Sequence, residues 1–257
     1  MEFSNLFKDS LKYPTKNLQI LVIFGIIVIF ANLKSIYDAF GGTQNQYLIA
    51  IFGIISLILG FIVSGYILSI IKNTIEGSDI VPQFQWKNNF IMGIKYLILD
   101  IIYAIIPAII IFLVLFVTGS FSSMTSLISY SQMGNTAMVN AVAQNMAPSI
   151  LITLVVAIIL FIIFGILCTI AECRLAISGS ISDGLKVKEI INDLSNIGWG
   201  NFIVWAIILI IILFVISIIY SVVAFIPIIG FLISLLLISP FMAMFTARAM
   251  GLMYASK

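Results

Sequence analysis

Residues 202–247 read FIVWAIILIIILFVISIIYSVVAFIPIIGFLISLLLISPFMAMFTA. These 46 residues contain no Asp, Glu, Lys or Arg. About 20 helical residues cross the roughly 30 Å hydrocarbon layer of a bilayer, so the stretch holds two spans, 202–225 and 228–247. Only Ile226 and Pro227 separate them, with Gly230 just beyond. That junction predicts a tight helical hairpin whose two arms are antiparallel neighbours.

Working outward, four more apolar runs are long enough to cross: 18–39 (uninterrupted over 18–31), 47–71, 93–117 and 149–171. The expected fold is an all-α polytopic membrane helical bundle. It has six transmembrane helices in a single membrane domain covering 1–257. Composition agrees. Apolar types make up 62% of the 257 residues and charged types 9%, and mean hydropathy is +1.25. Soluble domains carry about 45–50% apolar and about 25% charged residues. A cytosolic enzyme and a disordered chain are both excluded by that contrast.

Orientation follows from the basic residues. Lys8, Lys12 and Lys16 precede the first span. Lys72, Lys87 and Lys95 flank the second connection, Arg174, Lys186 and Lys188 the fourth, and Arg248 and Lys257 the tail. In a six-span arrangement these 11 of 12 cations share one side. Lys34 alone lies opposite, with Asp38 four residues on as an ion-pair partner. A multi-pass plasma-membrane protein with both termini cytoplasmic is expected. A polar stretch of 17 residues precedes the first span and no small-residue cleavage site follows it, so that span reads as a retained anchor.

Three cytoplasmic segments repeat apolar residues at helical spacing: Phe3, Leu6, Phe7 and Leu11; Trp86, Phe90, Ile91 and Ile94; and Val187, Ile190, Ile191, Leu194 and Ile197. Each predicts a short interfacial amphipathic helix. Trp86 and Trp199 suit the headgroup layer. The result is a loose threefold pattern of surface helix, span out and span back. Phe7 with Lys12-Tyr13 recurs as Phe90 with Lys95-Tyr96, and the third unit lacks that match. The outer segment 118–148 carries no charge and shows two short helical patterns around Met133-Gly134-Asn135.

Chemistry-bearing residues are few. Histidine is absent, which removes the commonest general base and metal ligand. Cys168 and Cys173, five apart, form neither a zinc pattern nor a disulfide framework and read as small apolar fillers. The net charge of +2 offers no surface for nucleic acid. No catalytic constellation, cofactor site or metal site is expected. Glu172 and Arg174 read as an interfacial ion pair. The small residues Ser56, Gly60 and Ser64, and Ala243, Ala247 and Gly251, read as close helix contacts.

The exception is Asp100, an acid inside the 93–117 span. Intramembrane acids are costly and often functional. Tyr96 and Tyr103 lie at i−4 and i+3, so the three polar tips share one helix face. Asp100, Tyr96 and Tyr103 form the candidate intramembrane polar site. It reads either as an ion or proton site or as a structural carboxylate hydrogen-bonded by the tyrosines. Pro107 is expected to kink the same helix.

The chain carries Ser64-Gly65-Tyr66, Gly77, Pro82-Gln83-Phe84, Trp86, Gly93-Ile94-Lys95-Tyr96, Tyr103 and Ile106-Pro107, with Ile197-Gly198-Trp199-Gly200 and Trp205 further on, and the resemblance they carry extends over nearly the whole chain. It resembles an uncharacterised archaeal multi-span membrane-protein family, domain of unknown function 4013. Gln83 departs from the acidic residue usual there. The resemblance brings no activity. The function expected is therefore that of a non-enzymatic membrane component, permease-like or partner-binding. The alternative is a lipid-modifying membrane enzyme using Asp100, Glu172 or Asp183. The lipid bilayer is one partner, and a second copy or another membrane protein is left open.

Overall fold

The computed structural model describes residues 2–42, 45–226 and 228–257. All regular structure among the described residues is helical. In chain order come α1 (Phe3–Lys12), a 3₁₀ turn (Tyr13–Lys16), α2 (Leu18–Ala31), α3 (Leu33–Ala39), α4 (Gln46–Ile75) and α5 (Trp86–Val117). Then follow α6 (Ser120–Gln132), α7 (Thr136–Ser178), α8 (Ile181–Gly184), α9 (Val187–Ile197) and α10 (Trp199–Ala224). The last stretch is α11 (Ile229–Ile233), a π-helical turn (Ser234–Ile238) and α12 (Ser239–Tyr254).

Five helices are long and apolar enough to cross a membrane: α4, α5, α7, α10 and the stretch Ile229–Tyr254. The count is six when Phe3–Lys16 and Leu18–Ala31, bent by 81°, are taken as one broken span. The expected 18–39 span is therefore not one helix. It breaks at Asn32, whose side-chain amide turns back to donate to the Val28 carbonyl at 2.8 Å. At about 1.5 Å per residue α2 alone reaches only about 21 Å. The Lys34–Asp38 ion pair forms as expected, at 2.7 Å.

The surface helix expected around Trp86 is not separate either. α5 runs unbroken from Trp86 through Pro107 to Val117. The first amphipathic segment does stop, at Tyr13, and the two matching units differ for a local reason. Tyr13 is followed by Pro14 and Tyr96 by Leu97. Pro14 has no backbone N–H to give the Ser10 carbonyl four residues back, so α-helical bonding ends at Lys12, the 3₁₀ turn follows and the 81° bend comes at Asn17, whereas Leu97 keeps its N–H and α5 runs on.

The chain divides into two compact units, one of Met1–Leu99 with Thr169–Lys257 and the other of Asp100–Cys168. In the first, α2 and α12 pack on α4, and α1 packs on α12 with Phe7 and Phe245 rings 6.4 Å apart. Glycines set the closest approaches. A methyl at Gly65 would fall on the Asn89 carbonyl, and one at Gly93 on the Phe61 carbonyl, so α4 and the start of α5 touch backbone to backbone. Gly25 likewise meets the Leu236 carbonyl. Gly251 lies against Thr74, so the Ala247–Gly251 face of the last helix is a contact face as expected. On α4 the contact is offset from the expected stripe, because Gly60 has open space around it while Gly65 does not.

The hairpin residue Pro227 lies outside the described residues. On either side of it α10 and α11 are neighbours, with Gly230 against the Val223 carbonyl. The second unit contains α6, most of α7 and the end of α5. Its charge-free segment is helical on both sides of Met133–Asn135, as the two sequence patterns predict. Serine hydroxyls there turn back to the helix itself. Ser126 donates to the Ser122 carbonyl at 3.1 Å and Ser129 to that of Thr125 at 3.1 Å.

Candidate functional site

Asp100 lies in the second unit and is half-buried. It stands 14 residues into α5, about 21 Å along the axis at 1.5 Å per residue. Cys168 of α7 donates its thiol to Asp100 Oδ1 at a sulfur–oxygen distance of 3.6 Å. Cys168 is therefore more than the apolar filler its sequence context suggests, whereas Cys173, fully buried, is placed as one. Tyr96 lies in the first unit, where its hydroxyl donates to Glu172 Oε1 at 3.3 Å. Tyr103 is in the second unit and is 7% exposed.

Glu172 and Arg174 do not share a helix face, because residues two apart on a helix point in different directions. Arg174 turns to α9 instead. It donates to Asp193 Oδ2 at 2.7 Å, pairs with Glu189, and donates from Nε to the Asp183 carbonyl at 2.9 Å. Asp193 is buried and also accepts from the Tyr254 hydroxyl at 2.7 Å and from Lys257 Nζ at 3.1 Å. Donors from α7 and from the C-terminal end of α12 thus meet on one carboxylate of α9. Burial works against its charge, but the hydrogen bonds from Tyr254, Arg174 and Lys257 outweigh that. They hold its pKa below the usual carboxylate range.

A second cluster closes around Arg248, whose side chain is 5% exposed. Its guanidinium donates to Asp9 Oδ2 at 2.7 Å and to the Ser78 carbonyl at 2.7 Å, and it pairs with Asp79. It sits 4.9 Å over the Tyr13 ring. Lys16 bridges the same two acids, at 3.1 Å from Asp9 and 3.6 Å from Asp79. Burial pushes the Tyr13 hydroxyl up to about 12, softened by the guanidinium, so the hydroxyl stays protonated and donates to the Ile80 carbonyl at 3.4 Å. For Asp9, burial opposes ionisation, and the bonds from Arg248 and Lys16 still hold the pKa down.

Sequence reading missed both clusters, yet it contained a signal. The chain has ten Lys and only two Arg, Arg174 and Arg248, and each Arg anchors one cluster. A planar fork with five donors satisfies several acceptors at once, which a lysine cannot do in the same geometry.

The lowered Asp193 and Asp9 values set a pH dependence. A carboxylate whose folded pKa lies below the unfolded value of about 3.9 contributes stability that is complete above that value. That contribution is lost as pH falls through the folded value. Melting temperature in detergent is expected to hold from neutral pH to about pH 5 and to drop below about pH 4. In Asp193→Asn the acid-side drop is shallower and the neutral-pH stability lower. An unchanged acid limb in that variant would show that Asp193 does not carry the effect.

A family model described as "Protein of unknown function (DUF4013)" matches residues 48–225. The match leaves out the first 47 residues and the tail, so it is narrower than the resemblance read from the motifs. A 97-residue stretch is 35% identical to uncharacterized protein MJ1189 of the archaeon Methanocaldococcus jannaschii, covering 33% of this chain and 34% of that protein. The chain thus aligns with about a third of that relative's length. No solved structure matches. With the model spanning more than half of its length, the chain belongs to the DUF4013 family, whose activity is unknown.

Proposed function

We propose that the chain is a non-enzymatic multi-pass membrane component that binds a partner in the plane of the plasma membrane. One observation carries the reading. The charged side chains of Arg174 and Arg248 are spent on closed ion-pair clusters that brace α1, α9, α12 and the segment after α4 against one another. A fixed frame of this kind suits a structural subunit better than a moving gate. In this reading the chain crosses six times, with α2 and α3 together as the first crossing, and both termini and the basic segments are cytoplasmic. In this reading α1 and α9 lie along the cytoplasmic interface, with their buried faces (Leu6 and Phe7; Ile190, Leu194 and Ile197) on the bundle.

Two experiments test this. Purified protein in proteoliposomes is expected to show no turnover against a lipid panel, and in native membranes it should migrate in a complex larger than one chain. Turnover that is lost in Asp100→Asn, Glu172→Gln or Asp183→Asn would overturn the non-enzymatic reading. For topology, Ser122→Cys and Ser195→Cys in a Cys-free background are expected to label from outside and inside respectively. Labelling of Ser195→Cys from outside would overturn the orientation.

The Cys168–Asp100 contact favours a second, permease-like reading, with Asp100 as an intramembrane ion or proton site. The site residues Asp100, Tyr96 and Tyr103 belong to this proposal. Asp100→Asn keeps the shape and most hydrogen bonds, so it is expected to melt near the wild type. Asp100→Leu deprives the thiol of its acceptor and is expected to cost about 1–3 kcal/mol. Proteoliposome flux that is present in the wild type and absent in Asp100→Asn would establish the permease reading. Flux absent in both would leave Asp100 as a structural carboxylate.

A further inference from the structure

In the first unit, a cleft of about 140 Å³ opens between Ser69 and Lys72 of α4, Asn88 and Met92 of α5, and Ser178 and Gly179. At roughly 30 Å³ per water it has room for several waters or one phosphate group. A second, wider groove of about 540 Å³ runs along Phe84, Trp86, Lys87 and Ile91. Asn88 lines both, so the polar cleft and the aromatic groove adjoin at one side chain.

The walls are held in place before anything binds. Phe84 stacks on Tyr66 at 3.9 Å and on Trp86 at 5.7 Å, and the Tyr66 hydroxyl donates to the Pro82 carbonyl at 2.8 Å. Trp86 is nonetheless 53% exposed. Across the cleft, Lys95 Nζ donates to the Gly179 carbonyl at 2.7 Å. Lys87 is exposed and forms no ion pair among the described residues. Lys72 faces Glu76 one turn on at 3.9 Å, an exposed pair of the kind worth well under about 1 kcal/mol.

We propose that the cleft and groove together bind one anionic phospholipid, its phosphate between Lys72 and Asn88 and its apolar part along Trp86 and Ile91. Charge and polarity choose this occupant. A free anion would satisfy the lysines and leave the aromatic groove bare. A zwitterionic lipid would fill the groove with no net charge to match Lys72 and Lys87. An indole at the polar boundary and lysines beside an apolar wall are what a lipid headgroup meets at a membrane surface. The proposal rests on the reading that this end of α4 and α5 lies at the cytoplasmic interface.

Native mass spectrometry of the full chain in detergent, titrated with phosphatidylglycerol or phosphatidylcholine, tests it. Phosphatidylglycerol is expected to be retained at least about fivefold better. Lys72→Gln is expected to cut its retention about fivefold, equivalent to the ~1 kcal/mol of one lysine near an anionic surface. Asn88→Leu should cut it as well. Both positions are exposed, so both variants should fold, and their melting temperatures check this. Lys188→Gln, an exposed lysine on α9 outside cleft and groove, should retain lipid like the wild type. Equal retention of the two lipids, or equal loss in Lys188→Gln, would overturn the proposal. So would displacement of the lipid by inorganic phosphate alone. None of these outcomes depends on whether the chain binds a protein partner, so a failure here is distinct from a failure of that reading.

Discussion

Gly65→Val is expected to lower stability by about 3 kcal/mol, near the upper end of the usual overpacking cost. The reason is what the new side chain meets. Its Cβ would land on the Asn89 carbonyl, and a backbone atom cannot swing aside as a side-chain tip can. The start of α5 must then separate from α4, and Tyr66 and Phe84, whose rings stack at 3.9 Å, lie beside that crossing. Gly60→Ala on the same helix is the control. Gly60 has open space around it, so the substitution should be neutral or stabilising by up to about 1 kcal/mol, the helix-propensity gain over glycine. Thermal unfolding of both variants in one detergent reads the contrast. Equal melting of Gly65→Val and wild type would show that the helices do not cross this closely.

Arg248→Ala is expected to cost about 3 kcal/mol, the lower end of the range for breaking a buried ion pair. The lower end applies because the acids left behind can be rehydrated. Asp79 is 71% exposed and Asp9 32%. What is lost is the link from α12 to α1 and to the segment after α4, since one guanidinium touches Asp9, Ser78 and Asp79. Limited proteolysis should therefore release α1 from the variant before the rest of the chain is cut. Arg248→Lys keeps the charge but loses the fork and should recover only part of the stability. Lys16→Gln, at a side chain 33% exposed, should cost under about 1 kcal/mol. Loss of α1 protection in Lys16→Gln as well would shift the role from the arginine to the cluster as a whole.

Most of the helices were legible because membrane-length apolar runs need no tertiary information. The ends were not. Asn32 sits within an apolar run and stops a helix by folding its amide back onto Val28. Nothing in the one-dimensional pattern separates that from an asparagine facing outward. The difference between Tyr13-Pro14 and Tyr96-Leu97, by contrast, was written in the sequence, and it decides why α1 gives way to a 3₁₀ turn while α5 continues. The site was legible in part. Burial cost singles out Asp100 on its own helix, but its thiol partner lies 68 residues away. A helical wheel shows only neighbours on the same turn, and so it groups Tyr96 with Asp100 and is blind to Glu172 and Cys168. The arginine clusters were missed for the same reason, although the scarcity of arginine marked both anchors.

The π-helical turn at Ser234–Ile238 has a consequence for the register of the last helix. A π turn carries one residue more than the α-helical turn it replaces, and each residue of an α-helix advances about 100° around the axis. Upstream of the turn the chain presents Gly230 to Val223, and within it Leu236 meets Gly25. Downstream it presents Gly251 to Thr74 and Arg248 to Asp9. Both sets of contacts coexist only because the surplus residue rotates one half against the other. A chain lacking that residue would keep one set and lose the other, so deleting one residue between 234 and 238 is expected to detach the last helix from the N-terminal segment.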